Sequence, residues 1–327
     1  MRVMSASEVE AALDTESLVE QLRQMFRAGA TTPTRHHHTV PVPGGADATL
    51  LLMPAWQEGR YLGVKIVTVF PGNGEKSLPS VMGAYALLSA RTGEPLAMLD
   101  GRMLTLRRTA CASALAAQYL ARSDAARLLM VGTGALAPHL ILAHARVRPI
   151  KEVLVWGRNP KRAETLAHNL TSRRLTVSAT TDLEGAVRGA DVISCATLSK
   201  EPLVRGEWLQ PGQHIDLVGG FTPEMREADD TAVDRARVFV DTYAGALKEA
   251  GDIVQPIRSG VLTEQSIAGD LAELTQGRVA GRRFHNQITL FKSVGTAIED
   301  LAAAILVFES AIGASEFGFQ STGVLRG

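Results

Sequence analysis

Two rhythms of apolar and polar positions divide the chain. Near the N-terminus, apolar residues in SASEVEAAL and LVEQLRQMF recur at helical spacing, and Ser5 or Ser7 is placed to cap the first helix. A stretch rich in Thr, Pro and His, GATTPTRHHHTVPVPGG, reads as a loop. Three strand-like runs follow: ATLLLMPAW, YLGVKIVTVF and VMGAYALLSA. Gly, Asn and Pro separate them, as expected of antiparallel strands. The Ala- and Leu-rich run LTLRRTACASALAAQYLA (104–121) predicts a long, largely buried helix.

The rhythm then changes. ARLLMVG, KEVLVWG, LTVSAT, DVISCAT, HIDLVGG and ARVFVDT are short, continuous apolar runs of β type. Helical stretches such as NPKRAETLAHNL and DLEGAVRGA lie between several of them. Strand–helix alternation with near-continuous apolar strands predicts an α/β fold, a Rossmann-type doubly wound parallel sheet covered on both faces. The expected division is a dinucleotide-binding domain over 121–286 and an α+β substrate-binding and dimerisation domain from 1–120 and 287–327. In the second of these, QITLFKSVGTAIEDLAAAILVFES supplies one more strand and a long helix that rejoin the first segment.

Composition narrows the function classes. Of the 327 residues 46% are hydrophobic and 21% charged, enough to bury sizeable cores. Basic and acidic residues balance at 34 each, so no global field favours nucleic acid or an anionic membrane as a partner. Cys111 and Cys195 stand far apart in apolar surroundings and read as reduced core residues. The N-terminus lacks the apolar segment of a signal peptide, and LAAAILVF (301–308) is too short to span a bilayer. A cytoplasmic protein is expected.

LLMVGTGALAPH places Gly132-x-Gly134-x-x-Ala137 directly after a strand and before a helix. The first glycine permits the tight turn, the second lets backbone approach a pyrophosphate, and the helix N-terminus stabilises the anion. About 20 residues further on, an acid would hold the ribose 2′-hydroxyl of NAD and an Arg the 2′-phosphate of NADP. The tip there is Trp156-Gly157-Arg158-Asn159, with Lys161 and Arg162 following and no carboxylate. Guanidinium groups hold phosphate through paired charge-assisted bonds, so NADPH is expected, with NADH the weaker cofactor.

Three cations lie among apolar or small residues: Lys65 inside a strand, Arg108 with Arg107 near a helix start, and Arg35 in the His loop. A buried cation needs an anion, either a structural carboxylate or a ligand. Three together beside a nucleotide fold favour a carboxylate-bearing substrate. The run His36-His37-His38 lacks further donors at ligand spacing, and neighbouring side chains of an extended segment point alternately, so one His lining the substrate pocket is preferred over a metal site. Asp300 is either a partner for the basic cluster or a helix-surface acid.

GVKIVTVFPGN, LTLRRTACASALAA, GTGALA, DLVGGFTPEMREAD and ITLFKSVGTAIEDLAAA, in this order along nearly the whole chain, resemble the ornithine cyclodeaminase/mu-crystallin family. The resemblance implies a homodimer or larger oligomer, with substrate-carboxylate contacts at Arg35, Lys65 and Arg108. It also implies cofactor contacts at Thr109, Gly132, Thr133, Gly134, Ala135, Gly157, Arg158, Asn159, Arg162, Ala196, Thr197 and Val218. Cyclodeaminases of the family carry an Asp just after VGG, where this chain has Phe221, a residue unable to act as acid or base. The chain is most similar to the Δ1-pyrroline-2-carboxylate reductase branch. The implied reaction is NAD(P)H-dependent reduction of a cyclic imino acid to L-proline, the six-membered homologue giving L-pipecolate. Phe221 either packs on the substrate ring or belongs to the core. Lys65, a bound water or the protonated substrate is the proton source. Ornithine cyclodeamination, alanine dehydrogenation and non-catalytic NADPH binding are the alternatives.

Overall fold

The structure, a computed structural model, describes residues 1–76 and 78–320. Their backbone falls into two compact units, 1–108 with 297–320 and 109–296. The expected boundary at 120/121 therefore moves to 108/109, inside the helix Gly101–Leu120. The expected boundary at 286/287 moves to 296/297.

The first unit is built on a six-stranded mixed sheet. Its strands are β1 (Arg2–Met4), β2 (His36–Val40), β3 (Ala48–Trp56), β4 (Tyr61–Val69), β5 (Val81–Ser89) and β6 (Pro95–Asp100), in the order β1-β6-β5-β4-β3-β2. The three long runs form the antiparallel centre, β3 to β5, as the alternating pattern predicts. Three strands were not read from the pattern: β6, β1 and β2. The short β1 pairs parallel to β6. The His-rich segment, expected as a loop, is edge strand β2, paired antiparallel to β3 from His36–Leu52 to Val40–Ala48. Its residues face solvent on both sides, so it shows no apolar alternation and is held by backbone pairing to one neighbour. Ser5 caps the first helix, Ala6–Ala12, in a reciprocal capping box with Glu8.

The helix Gly101–Leu120 starts hard against this sheet. Asp100 accepts a hydrogen bond from the Met103 N–H at 2.6 Å, closing the first turn. A Cβ on Gly101 would lie 2.6 Å from the Gly83 carbonyl carbon and 2.7 Å from the Ala84 nitrogen on β5. Only glycine permits this approach, which fixes where residues 105–108 stand relative to β4 and β5.

The second unit carries an all-parallel eight-stranded sheet. Its strands are β7 (Arg127–Val131), β8 (Glu152–Trp156), β9 (Thr176–Ala179), β10 (Val192–Cys195), β11 (His214–Leu217), β12 (Arg237–Val240), β13 (Gly269–Asp270) and β14 (Thr289–Lys292). They run in the order β13-β12-β14-β11-β10-β7-β8-β9. From β7 the chain winds outward through β8 and β9, then reverses to β10 and β11, as in Rossmann-type doubly wound sheets. β10, β11 and β14 are buried at every residue, which requires cover on both faces and explains why their apolar residues do not alternate with exposed polar ones.

β14 corrects an expectation. It does not rejoin the first segment but inserts between β11 and β12, pairing with both. The run TLFK is buried throughout, the pattern of a central parallel strand. Only the helix Ala297–Gln320 groups with the first unit. Cys111 and Cys195 are buried free thiols, and burial first, then nearby carboxylates, push the Cys195 thiol far above its ordinary value.

Because the Gly101 approach is set by backbone atoms, Gly101→Ala should cost about 1–3 kcal/mol of overpacking, read as a lower urea midpoint. An unchanged midpoint would mean that β5 yields and that the contact does not hold the helix.

Candidate active site

In the first unit the sheet and two helices bring four charged side chains together in the interior. Lys65 Nζ on β4 lies 2.6 Å from Asp300 Oδ2. Arg108 donates from Nε to Asp300 Oδ1 at 2.8 Å and from Nη1 to Glu299 Oε2 at 2.5 Å. Asp300 and Glu299 are fully buried, Lys65 is 3% exposed and Arg108 5%. Both acids stand in the first turn of the helix Ala297–Gln320, where the dipole favours negative charge. Asp300 is therefore the partner of the basic cluster and not a surface acid.

This arrangement revises the charge argument. Lys65 and Arg108 find structural carboxylates, so their burial alone does not require a ligand. What remains is donor capacity: a guanidinium and an ammonium carry more N–H groups than these three contacts to Asp300 and Glu299 use. The neighbouring Arg107 has a separate task, holding the Leu13 carbonyl.

Burial pushes the Lys65 ammonium down to about 8; Asp300 opposes the fall, while the Arg108 and Arg35 charges add to it. Burial also works to raise Asp300, but Arg108 and then Lys65 outweigh it and hold the carboxyl below its ordinary value. The result is an ionised carboxylate anchoring a guanidinium and an ammonium that can release its proton near neutrality. Tyr85, opposite Lys65 in the β4–β5 register, is fully buried, and its hydroxyl has no hydrogen-bond partner among the described residues. Burial and then the Asp300 charge raise it well above its ordinary value, so it stays protonated.

In the second unit, Gly132 after β7 has φ +123°, a conformation that favours glycine, and a Cβ there would lie 2.6 Å from the Ala196 carbonyl oxygen. A Cβ on Gly134 would meet no protein atom, so the backbone is open to close approach. The helix Ala137–Val147 follows with Leu136 at its N-cap, a residue without a side-chain cap. The Ala137 N–H donates to the Gly134 carbonyl at 3.1 Å and Pro138 has no N–H, so the positive end of the helix dipole rather than a row of open donors faces an anion here. A cavity of about 300 Å³ lies beside this turn. Of the expected cofactor residues, Gly132, Thr133, Gly134, Gly157, Arg158, Asn159, Arg162, Ala196 and Thr197 line it. Thr109, Ala135 and Val218 do not; Thr109 and Val218 are buried, and Ala135 is exposed. Arg158 and Arg162 are exposed at the cavity side of β8, while Asn159 spends its side-chain oxygen capping its own helix. The glycine turn, the uncapped helix and the basic tip suit a dinucleotide.

Phe221 is 48% exposed and so is not core. His36, His37 and His38 are all exposed on the edge strand. Sequence reasoning missed Glu299 and a second buried cluster, Glu227, Asp252 and Lys292, all fully buried. Lys292 carried a usable signal, a lysine inside an apolar strand, the same feature that singled out Lys65. Glu227 and Asp252 sit in charge-rich stretches that read as solvated.

Comparison with known proteins places these features in a family. Residues 1–315 match the model of the ornithine cyclodeaminase/mu-crystallin family. A Delta(1)-pyrroline-2-carboxylate reductase from Colwellia psychrerythraea is 39% identical over 94% of this chain and 99% of its own. Among solved structures, the Delta(1)-pyrroline-2-carboxylate reductase of Thermococcus litoralis, in complex with NADH and L-proline, aligns with TM-score 0.89 and 34% identity. That alignment covers 96% of this chain and 98% of the other. An archaeal alanine dehydrogenase dimer with bound NAD aligns with TM-score 0.88 and 31% identity, over 96% and 97%.

Removing the Asp300 charge strands buried Lys65 and leaves Arg108 with Glu299 alone, so Asp300→Asn should destabilise the protein by about 3–5 kcal/mol in urea unfolding. A loss below about 1 kcal/mol would show that water or another acid compensates.

Proposed function

The chain belongs to the ornithine cyclodeaminase/mu-crystallin family, and we propose that it reduces Δ1-pyrroline-2-carboxylate to L-proline with NADPH. The observation that carries this reading is the buried Lys65–Asp300–Arg108 cluster, an anchored guanidinium beside an ammonium whose proton is easily released. Chains of the same length and fold that are named as this reductase support it.

Arg108 and Lys65, with Arg35, hold the substrate carboxylate, and Asp300 keeps the two buried cations in register. Fixing the carboxylate fixes the adjacent C2, so positioning is the main contribution of the protein. A bound NADPH supplies the hydride that C2 accepts. The imine nitrogen gains one proton as its double bond to C2 becomes single, and Lys65 donates it, returning to the ammonium form by taking a proton from solvent. Phe221 is exposed and aromatic, with no group that can donate or take a proton. Lacking an acid or base there, the chain has nothing at that position to assist amine attack in ornithine cyclodeamination. Arg158 and Arg162 select NADPH by pairing with its 2′-phosphate. A homodimer accords with the archaeal neighbour, itself a dimer.

NADPH oxidation at 340 nm with Δ1-pyrroline-2-carboxylate, beside NADH and beside ammonia release from ornithine with NAD⁺, tests the reading. Rapid oxidation without ammonia from ornithine is expected, and ammonia would overturn it. Arg158→Ala should raise KM for NADPH about tenfold while leaving that for NADH nearly unchanged; equal effects would remove Arg158 as the selector. Because Lys65 is protonated only below about 8, kcat/KM should fall as pH rises through that value. An alkaline limb that persists unchanged in Lys65→Met would assign the proton to another donor.

A further inference from the structure

The buried cluster of the second unit is not needed by the glycine turn, yet it converges on the same cavity. Glu227, between β11 and the helix Asp230–Arg235, is fully buried. Its Oε1 accepts from the Thr197 backbone N–H at 2.7 Å and from the Thr197 hydroxyl at 2.8 Å. Its Oε2 accepts from the Gly219 N–H at 2.8 Å. Thr197 follows β10 and Gly219 follows β11, so one carboxylate laces together the C-terminal tips of two adjacent parallel strands.

Asp252 backs this lacing. Its Oδ1 accepts from the N–H groups of Glu227 (2.7 Å) and Ala228 (3.1 Å), and its Oδ2 lies 3.0 Å from Lys292 Nζ at the end of β14. The run of contacts from Lys292 through Asp252 and Glu227 to Thr197 thus ties the tips of β14, β11 and β10. The backbone makes room for it: a Cβ on Gly219 would strike the Thr197 backbone and the Glu227 carboxylate, and one on Gly220 would lie 2.6 Å from Asp252 Oδ2. Accepting from three donors fits the ionised form of Glu227. Burial raises its carboxyl to about 7, with Lys292 opposing the rise and Asp252 adding to it.

Register pairing already holds β10, β11 and β14 together without these groups. Burying two carboxylates with one ammonium is costly, so their retention points to a demand for position. The place supplies that demand. Ligands of doubly wound sheets lie outside the strand C-termini where the order reverses, here between β7 and β10. The basic tip after β8 suits the adenosine half, which leaves the nicotinamide half to the β10–β11 side, where Thr197 lines the cavity.

We propose that Glu227, backed by Asp252 and Lys292, is a positioning residue for the nicotinamide half of the dinucleotide, fixing the Thr197 and Gly219 backbone without touching the cofactor. The proposal rests on the dinucleotide reading above but not on the identity of the imino acid. Its test is calorimetric titration of the full-length protein with NADPH and, separately, with 2′-phospho-ADP-ribose, which lacks the nicotinamide half. No imino acid is present, so failure here leaves the reductase assay standing, and failure of that assay leaves this result readable. Glu227→Gln should weaken NADPH binding about tenfold and 2′-phospho-ADP-ribose binding less than about twofold. Asp252→Asn, which keeps Glu227 but loosens its backbone, should show the same split to a smaller degree. Equal weakening of both ligands would make the cluster a general support of the unit, and no weakening would make it idle. Either result overturns the proposal, as does loss of folding in both variants.

Discussion

Asp300 is the point on which the first unit turns. A carboxylate taken out of water is tolerable only if charge and hydrogen bonds surround it, and here Lys65 and Arg108 both lean on it. Three elements must meet for that: β4 carrying Lys65, the helix Gly101–Leu120 carrying Arg108, and the first turn of the helix Ala297–Gln320 carrying Asp300 and Glu299. The glycine approach of Gly101 to β5 places the second of these. The C-terminal helix, remote in sequence, closes the cluster. The same constraint sets the chemistry, since burial and neighbouring cations bring Lys65 to about 8 while Asp300 keeps it from falling further.

The second unit solves a different problem with the same means. A parallel sheet leaves its strand tips as loops, and a dinucleotide needs those loops held still. Gly132 and Gly134 provide a turn that only glycine can make or leave open, and the helix after them directs the positive end of its dipole toward a pyrophosphate. On the other side of the reversal the tips of β10, β11 and β14 are bound by Glu227, Asp252 and Lys292.

Much of this was legible in the residues, and the exceptions have physical causes. Continuous apolar runs announced the parallel sheet because strands buried on both faces have no polar alternation. That logic applied equally to TLFK, yet position in the chain suggested the wrong sheet for it; strand order is a non-local property that no short pattern carries. The His-rich edge strand β2 was invisible because His36 to Thr39 are all exposed and give no apolar alternation. Lys65 and Arg108 stood out as cations among apolar residues, but their partners did not. An acid at a helix start reads the same whether it faces solvent or, like Asp300, the interior. Glu227 and Asp252 were hidden for the same reason.

The central claim is that this chain reduces an imine carbon held next to an anchored carboxylate. The most direct measurement follows deuterium from NADPH deuterated at C4 of the nicotinamide, on the transferred face, into the product formed from Δ1-pyrroline-2-carboxylate, read by NMR. One deuterium at C2 of L-proline, with none elsewhere in the ring, is the expected result. Proline formed without deuterium at C2 would contradict it.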